Sequence, residues 1–136
     1  MDMPRAAIDA LGEAGVLVAY LFGSRADGRP RPTSDVDVAV LFGRPTGLLE
    51  RERLAGRLQD VLGAEVDLVV LDDAHLEIRG RVVQTGRLIH SADEPRRVAF
   101  EVDTRSRYLD YLPTLRRMTR AYLEKVAERG ADGRGR

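Results

Sequence analysis

Apolar positions along the chain fall into short runs and stripes of two different periods. Val16 to Phe22 is a nearly unbroken apolar run, interrupted only by Tyr20, and reads as a buried central strand. A second run, Val38 to Phe42, follows a loop rich in Gly, Pro and Arg over 27–32. Gly43, Pro45 and Gly47 mark a turn, after which the period changes. Leu54, Leu58, Val61 and Leu62 give a helix over 48–62 its inner face, with Arg51, Glu52, Arg53 and Arg57 outside and Gly63 as the stop. Glu65 to Leu71 predicts a third strand. Asp73 then fits a helix N-cap before Leu76, Ile78, Val82 and Val83, and the helix closes at Gly86. Residues 87–90 suit a short edge strand. Upstream of all this, Pro4 opens a short helix with Ile8 and Leu11 on one face.

From Glu94 to about Arg129 the pattern is helical, with Pro113 expected to split it near Leu112. Tyr108, Leu112, Leu115, Thr119, Tyr122 and Val126 form a stripe at three- and four-residue spacing. The stripe can pack on the protein's own sheet, or run past a small core and dock a partner. Residues 131–136 read as a disordered Gly/Arg tail.

One polar interruption changes the picture. Gly23-Ser24 ends the first strand, ten residues follow, and Asp35-Val36-Asp37 heads the second. Side chains alternate along a strand, so Asp35 and Asp37 share one face while Val36, Val38 and Val40 take the other. Adjacent carboxylates repel unless a cation lies between them or one stays protonated, and Mg²⁺ with its preference for oxygen ligands resolves the conflict. Gly23 lets backbone approach a phosphate closely, and the Ser24 hydroxyl and nearby N–H groups can donate to it. Together these residues suit a metal-chelated nucleoside triphosphate. Arg25, Arg29 and Arg31 lie near the expected phosphates, with Arg25 the candidate contact, although loop arginines are often merely exposed.

Composition narrows the classes. Twenty-two basic and twenty-two acidic residues cancel, so no global field draws in nucleic acid. The absence of cysteine removes disulfides and thiolate metal sites and fits the cytosol. No run approaches the ~20 apolar residues of a membrane span, and no signal-peptide pattern opens the chain, so a soluble cytoplasmic protein is expected. His75 and His90 are isolated and fit surface or packing roles. No G-K-[ST] occurs, which excludes a P-loop.

Gly23-Ser24, ten residues and Asp35-x-Asp37 resemble the GSx10DxD signature of the nucleotidyltransferase superfamily, the DNA polymerase β-like fold. The short length resembles the minimal (MNT) branch, many of whose members are antitoxins paired with HEPN-domain toxins. The resemblance implies an α+β (mixed α/β) fold: a short mixed sheet flanked by helices, plus C-terminal helices. It divides the chain into a nucleotidyltransferase core (1–92), a helical extension of the same domain (93–130) and the tail.

The resemblance also implies a third strand-borne carboxylate, and Asp67 is the matching position. A carboxylate in an apolar strand is costly to bury unless paired or metal-bound, though Asp67 could also face solvent. Asp72 and Asp73 are rivals at the strand's exit. Asp35, Asp37 and Asp67 are then the catalytic and metal-ligating residues, holding two Mg²⁺ ions, while Gly23, Ser24 and Arg25 bind ATP. The implied reaction moves AMP from ATP to a hydroxyl, a tyrosine of a HEPN ribonuclease toxin, in a hetero-oligomer with that toxin. Two alternatives are an antitoxin that acts by docking alone and a nucleotidyltransferase for a small molecule.

Overall fold

A computed structural model describes residues 2–23 and 35–134, with side chains to Gly130. Element order is α1 (Arg5–Glu13), β1 (Val18–Phe22), β2 (Val36–Leu41), α2 (Leu48–Leu62), β3 (Val66–Val70), α3 (Leu76–Thr85), β4 (Arg87–Ser91) and α4 (Glu94–Arg134). The strands form one mixed sheet in the order β3-β2-β1-β4. β1 is antiparallel to both β2 and β4, whereas β2 and β3 run parallel, joined by the α2 crossover that parallel pairing requires.

Strand alternation sorts the core into two layers. Ala19, Leu21, Val36, Val38, Val40 and Val66 pack with Ala7, Ala10, Leu11, Leu54 and Leu58 of α1 and α2. Val18, Tyr20, Ala39 and Leu41 point the opposite way and cluster with Leu71, Val82 of α3 and Phe100 of α4. Gly63 ends α2 in the left-handed conformation, φ 63°, and its N–H donates to the Gln59 carbonyl at 2.9 Å. No helix among the described residues is long and apolar enough to cross a membrane.

Three expectations need correction. Asp73 does not cap α3: His75 occupies the N-cap without a side-chain hydrogen bond, and Asp73 instead pairs with Arg51 of α2. Pro113 does not split the last helix. α4 is continuous from Glu94 to Arg134, and the cost is confined to the Leu109 carbonyl, which a proline N cannot satisfy. Four residues read as tail, 131–134, are helical, and 135–136 lie outside the described residues.

The stripe on α4 divides. Thr104 is fully buried and Tyr108, Leu112 and Leu115 are half-buried, whereas Met118, Tyr122, Leu123 and Val126 are exposed, Tyr122 by 67%. The near half covers the sheet; the distal half leaves it.

A polar tie fastens α4 to the sheet. The Tyr20 hydroxyl, on the buried face, donates to Glu101 Oε2 at 2.6 Å, and Arg97 Nη1 donates to Glu101 Oε1 at 2.8 Å. Burial, then the hydrogen bond to Glu101 and its charge, push the Tyr20 phenol well above its ordinary value of about 10. A raised folded-state value means that the stability the tie contributes is fully present below the unfolded value and is lost as pH rises from there toward the folded one. Tyr20→Phe should therefore cost about 1–2 kcal/mol at neutral pH. Between pH 9 and 11 the parent should lose stability more steeply than the variant. Urea unfolding across that range measures both, and parallel pH profiles would contradict the assignment.

Candidate active site

Gly23 follows β1 directly and holds φ at +75°, a left-handed conformation that suits glycine. Its neighbour Phe22 pairs in register with Asp37 of β2, so the turn begins beside that carboxylate. Ser24 and Arg25, with Arg29 and Arg31, lie outside the described residues.

Across the sheet on the other side, Asp37 pairs in register with Asp67 of β3. Register partners in parallel strands point to the same face, and the strands lie about 4.8 Å apart. Asp37 and Asp67 are thus lateral neighbours. Asp35 stands two residues before Asp37, half-buried at the head of β2, on the same face by alternation. Val36 and Val38 between and beyond them are buried against α1 and α2, which fixes the orientation.

Burial differs along the row. Asp37 is 4% exposed, whereas Asp67 is exposed on its outer strand. Among the described residues no three His, Cys, Asp or Glu side chains converge as a ready-made metal cage. The donor set is all oxygen, which fits a hard divalent cation and disfavours a soft one.

The rival carboxylates have structural work at the opposite end of the strands. Asp72 accepts from the backbone N–H groups of Phe42 and Gly43 at 2.9 and 2.8 Å, and Asp73 pairs with Arg51. His90 donates from Nε2 to the Val16 carbonyl at 3.0 Å, a packing role. Sequence reasoning missed Glu101 and Arg97, whose tie to Tyr20 lies on the carboxylate face two residues before Phe22. The signal was the tyrosine itself, the single polar break in the first apolar run.

Comparison with known proteins agrees with this geometry. The model of the polymerase beta nucleotidyltransferase family matches residues 8–95. A Methanocaldococcus jannaschii chain, provisionally named a protein adenylyltransferase, is 37% identical over 82 residues, covering 60% of this chain and 88% of that one. A crystal structure of a toxin-antitoxin with AMP-PNP matches with a TM-score of 0.71 and 29% identity, covering 90% of this chain and 96% of that chain. A structure of the tri-AMPylated Shewanella oneidensis HEPN toxin in complex with MNT antitoxin matches at TM-score 0.65 and 28% identity, covering 88% and 91%.

Proposed function

This chain belongs to the polymerase beta nucleotidyltransferase family, and from that premise we propose that it is an antitoxin enzyme of the cytoplasm. It transfers AMP from ATP to a hydroxyl, a tyrosine, of a HEPN ribonuclease toxin and so neutralises it. The observation that carries the reading is the in-register pairing of Asp37 with Asp67 on the face where the Gly23 turn begins. The similar structures with AMP-PNP and with an AMPylated HEPN toxin support the nucleotide and the acceptor.

In this reading Asp35, Asp37 and Asp67 would hold two Mg²⁺ ions through carboxylate oxygens. Bound there, the metal supplies charge neutralisation to the triphosphate and acidity to the attacking hydroxyl. The residues do the rest. Gly23 and Ser24 donate N–H and O–H to the β- and γ-phosphates, with Arg25 beside them, holding pyrophosphate in line as leaving group. Asp67, the exposed member of the row, takes the proton of the acceptor hydroxyl as its oxygen bonds the α-phosphorus. The bond to the bridging oxygen breaks and pyrophosphate departs. Residues 1–92 act as the catalytic core and 93–130 as its extension. The uncovered apolar residues of distal α4, Met118, Tyr122, Leu123 and Val126, are the surface that holds the toxin in a hetero-oligomer.

Asp67→Asn tests the division of labour. Turnover should fall about 10²–10⁴-fold, the range of a lost general base, while ATP affinity changes little. Transfer of label to the toxin from α-³²P-ATP but not γ-³²P-ATP fixes the reaction type. A variant that loses nucleotide binding and turnover equally, or label arriving from the γ-position, would contradict the reading.

A further inference from the structure

β3 is an outer strand, and among the described residues its second edge faces no other strand. The ladder to β2 uses alternate residues: the Glu65 carbonyl accepts from Val36 N–H, and Leu71 N–H donates to the Val40 carbonyl. Val66, Leu68 and Val70 therefore direct their backbone groups outward. Gln59 Oε1 accepts from the Val66 N–H at 3.2 Å, and the Val70 carbonyl accepts from the Asp73 N–H at 3.3 Å. The Leu68 N–H and carbonyl, the Val66 carbonyl and the Val70 N–H have no hydrogen-bond partner among the described residues.

This edge is the floor of a groove of about 520 Å³ between α2 and α3. Leu48, Ala55, Leu68, Val70, Ala74 and Ile78 give it apolar walls, and Leu48 stands 72% exposed at its rim. Open edges of this kind pair with further strands, and an apolar wall beside one supplies the side-chain pockets.

We infer that this edge seats an extended segment of the protein substrate, the segment that carries the acceptor hydroxyl. The inference rests on the transfer reaction proposed above. Continuity with the site selects this occupant: Asp67, the residue proposed to take the proton, belongs to the same strand and lies between Val66 and Leu68. A chain laid on the edge brings alternate side chains to the carboxylate face and sends those between toward Leu68, Val70 and Ala55. The acceptor's immediate neighbours in sequence should accordingly be apolar or small.

Amide hydrogen exchange on the complex with the toxin, against the antitoxin alone, tests the seat directly. The amides of Leu68 and Val70 should become protected on binding. Ala55→Trp, which fills the groove away from the carboxylates, should raise KM for the toxin at least tenfold and leave the ATP dissociation constant unchanged. Transfer that proceeds without protection of these amides overturns the inference and leaves the reaction standing. Protection that grows with concentration of the antitoxin alone overturns it in favour of self-association. Absence of transfer by the unaltered protein overturns the reaction itself.

Discussion

Asparagine at both Asp35 and Asp37 is expected to lower AMP transfer at least ~10³-fold while the protein stays folded. Each substitution keeps the side-chain volume and an oxygen acceptor but removes the charge that would hold a divalent cation. Loss of metal stabilisation at a triphosphate is worth several kcal/mol, and ~4 kcal/mol corresponds to about a thousandfold in rate. The alternation of Val36 and Val38 into the α1/α2 core does not depend on either carboxylate, so the strand should keep its register. Circular dichroism together with the rate of label transfer separates the two effects. A variant that keeps more than about a tenth of the parent rate would remove Asp35 and Asp37 from the chemistry.

The largest expected loss of stability from a single added methyl group lies where α3 meets α4. Gly80 of α3 faces Tyr108 of α4, and a Cβ built there would meet the tyrosine ring at 2.2 Å. No rotamer change of Gly80→Ala relieves that overlap, so the ring or the helix must move. Overpacking costs typically about 1–3 kcal/mol, against which alanine recovers up to ~1 kcal/mol of helix propensity. We expect a net loss of about 2 kcal/mol. Gly56 of α2 is the internal control: nothing stands within 4 Å of its added Cβ, so Gly56→Ala should stabilise by up to ~1 kcal/mol. Urea unfolding gives both values. Equal effects at the two glycines would mean that α4 does not pack on α3 through this contact.

Much of the fold was legible because local signals agreed with one another. The apolar run before Gly23, the period change after Gly47, the stop at Gly63 and the edge strand after Gly86 each rest on a few neighbouring residues. Those residues bury the same face in the folded chain. The acidic pair was legible for the same reason, since alternation within one strand sets its face.

What escaped the sequence depends on distant partners. Asp73 had the right chemistry for a helix cap, but Arg51, 22 positions away, offered an ion pair that local reading cannot see. Asp72 likewise serves the Phe42 and Gly43 amides rather than the carboxylate row. Pro113 breaks an isolated helix more readily than one whose preceding turns are anchored by Thr104 and Tyr108. The parallel register that places Asp67 beside Asp37 came from family resemblance, because no pattern within either strand specifies its partner. The division of the α4 stripe into a covered and an uncovered half depends on where the sheet ends.

The central claim is that this chain puts AMP on a partner protein with the Asp35–Asp37–Asp67 face. Intact mass spectrometry of a HEPN-domain toxin, after incubation with this protein, ATP and Mg²⁺, tests it most directly. The expected result is a toxin heavier by one or more AMP units, with no gain when Asp35 and Asp37 are both asparagine. A toxin of unchanged mass that still forms a stable complex would contradict the claim and leave a protein that neutralises by docking alone.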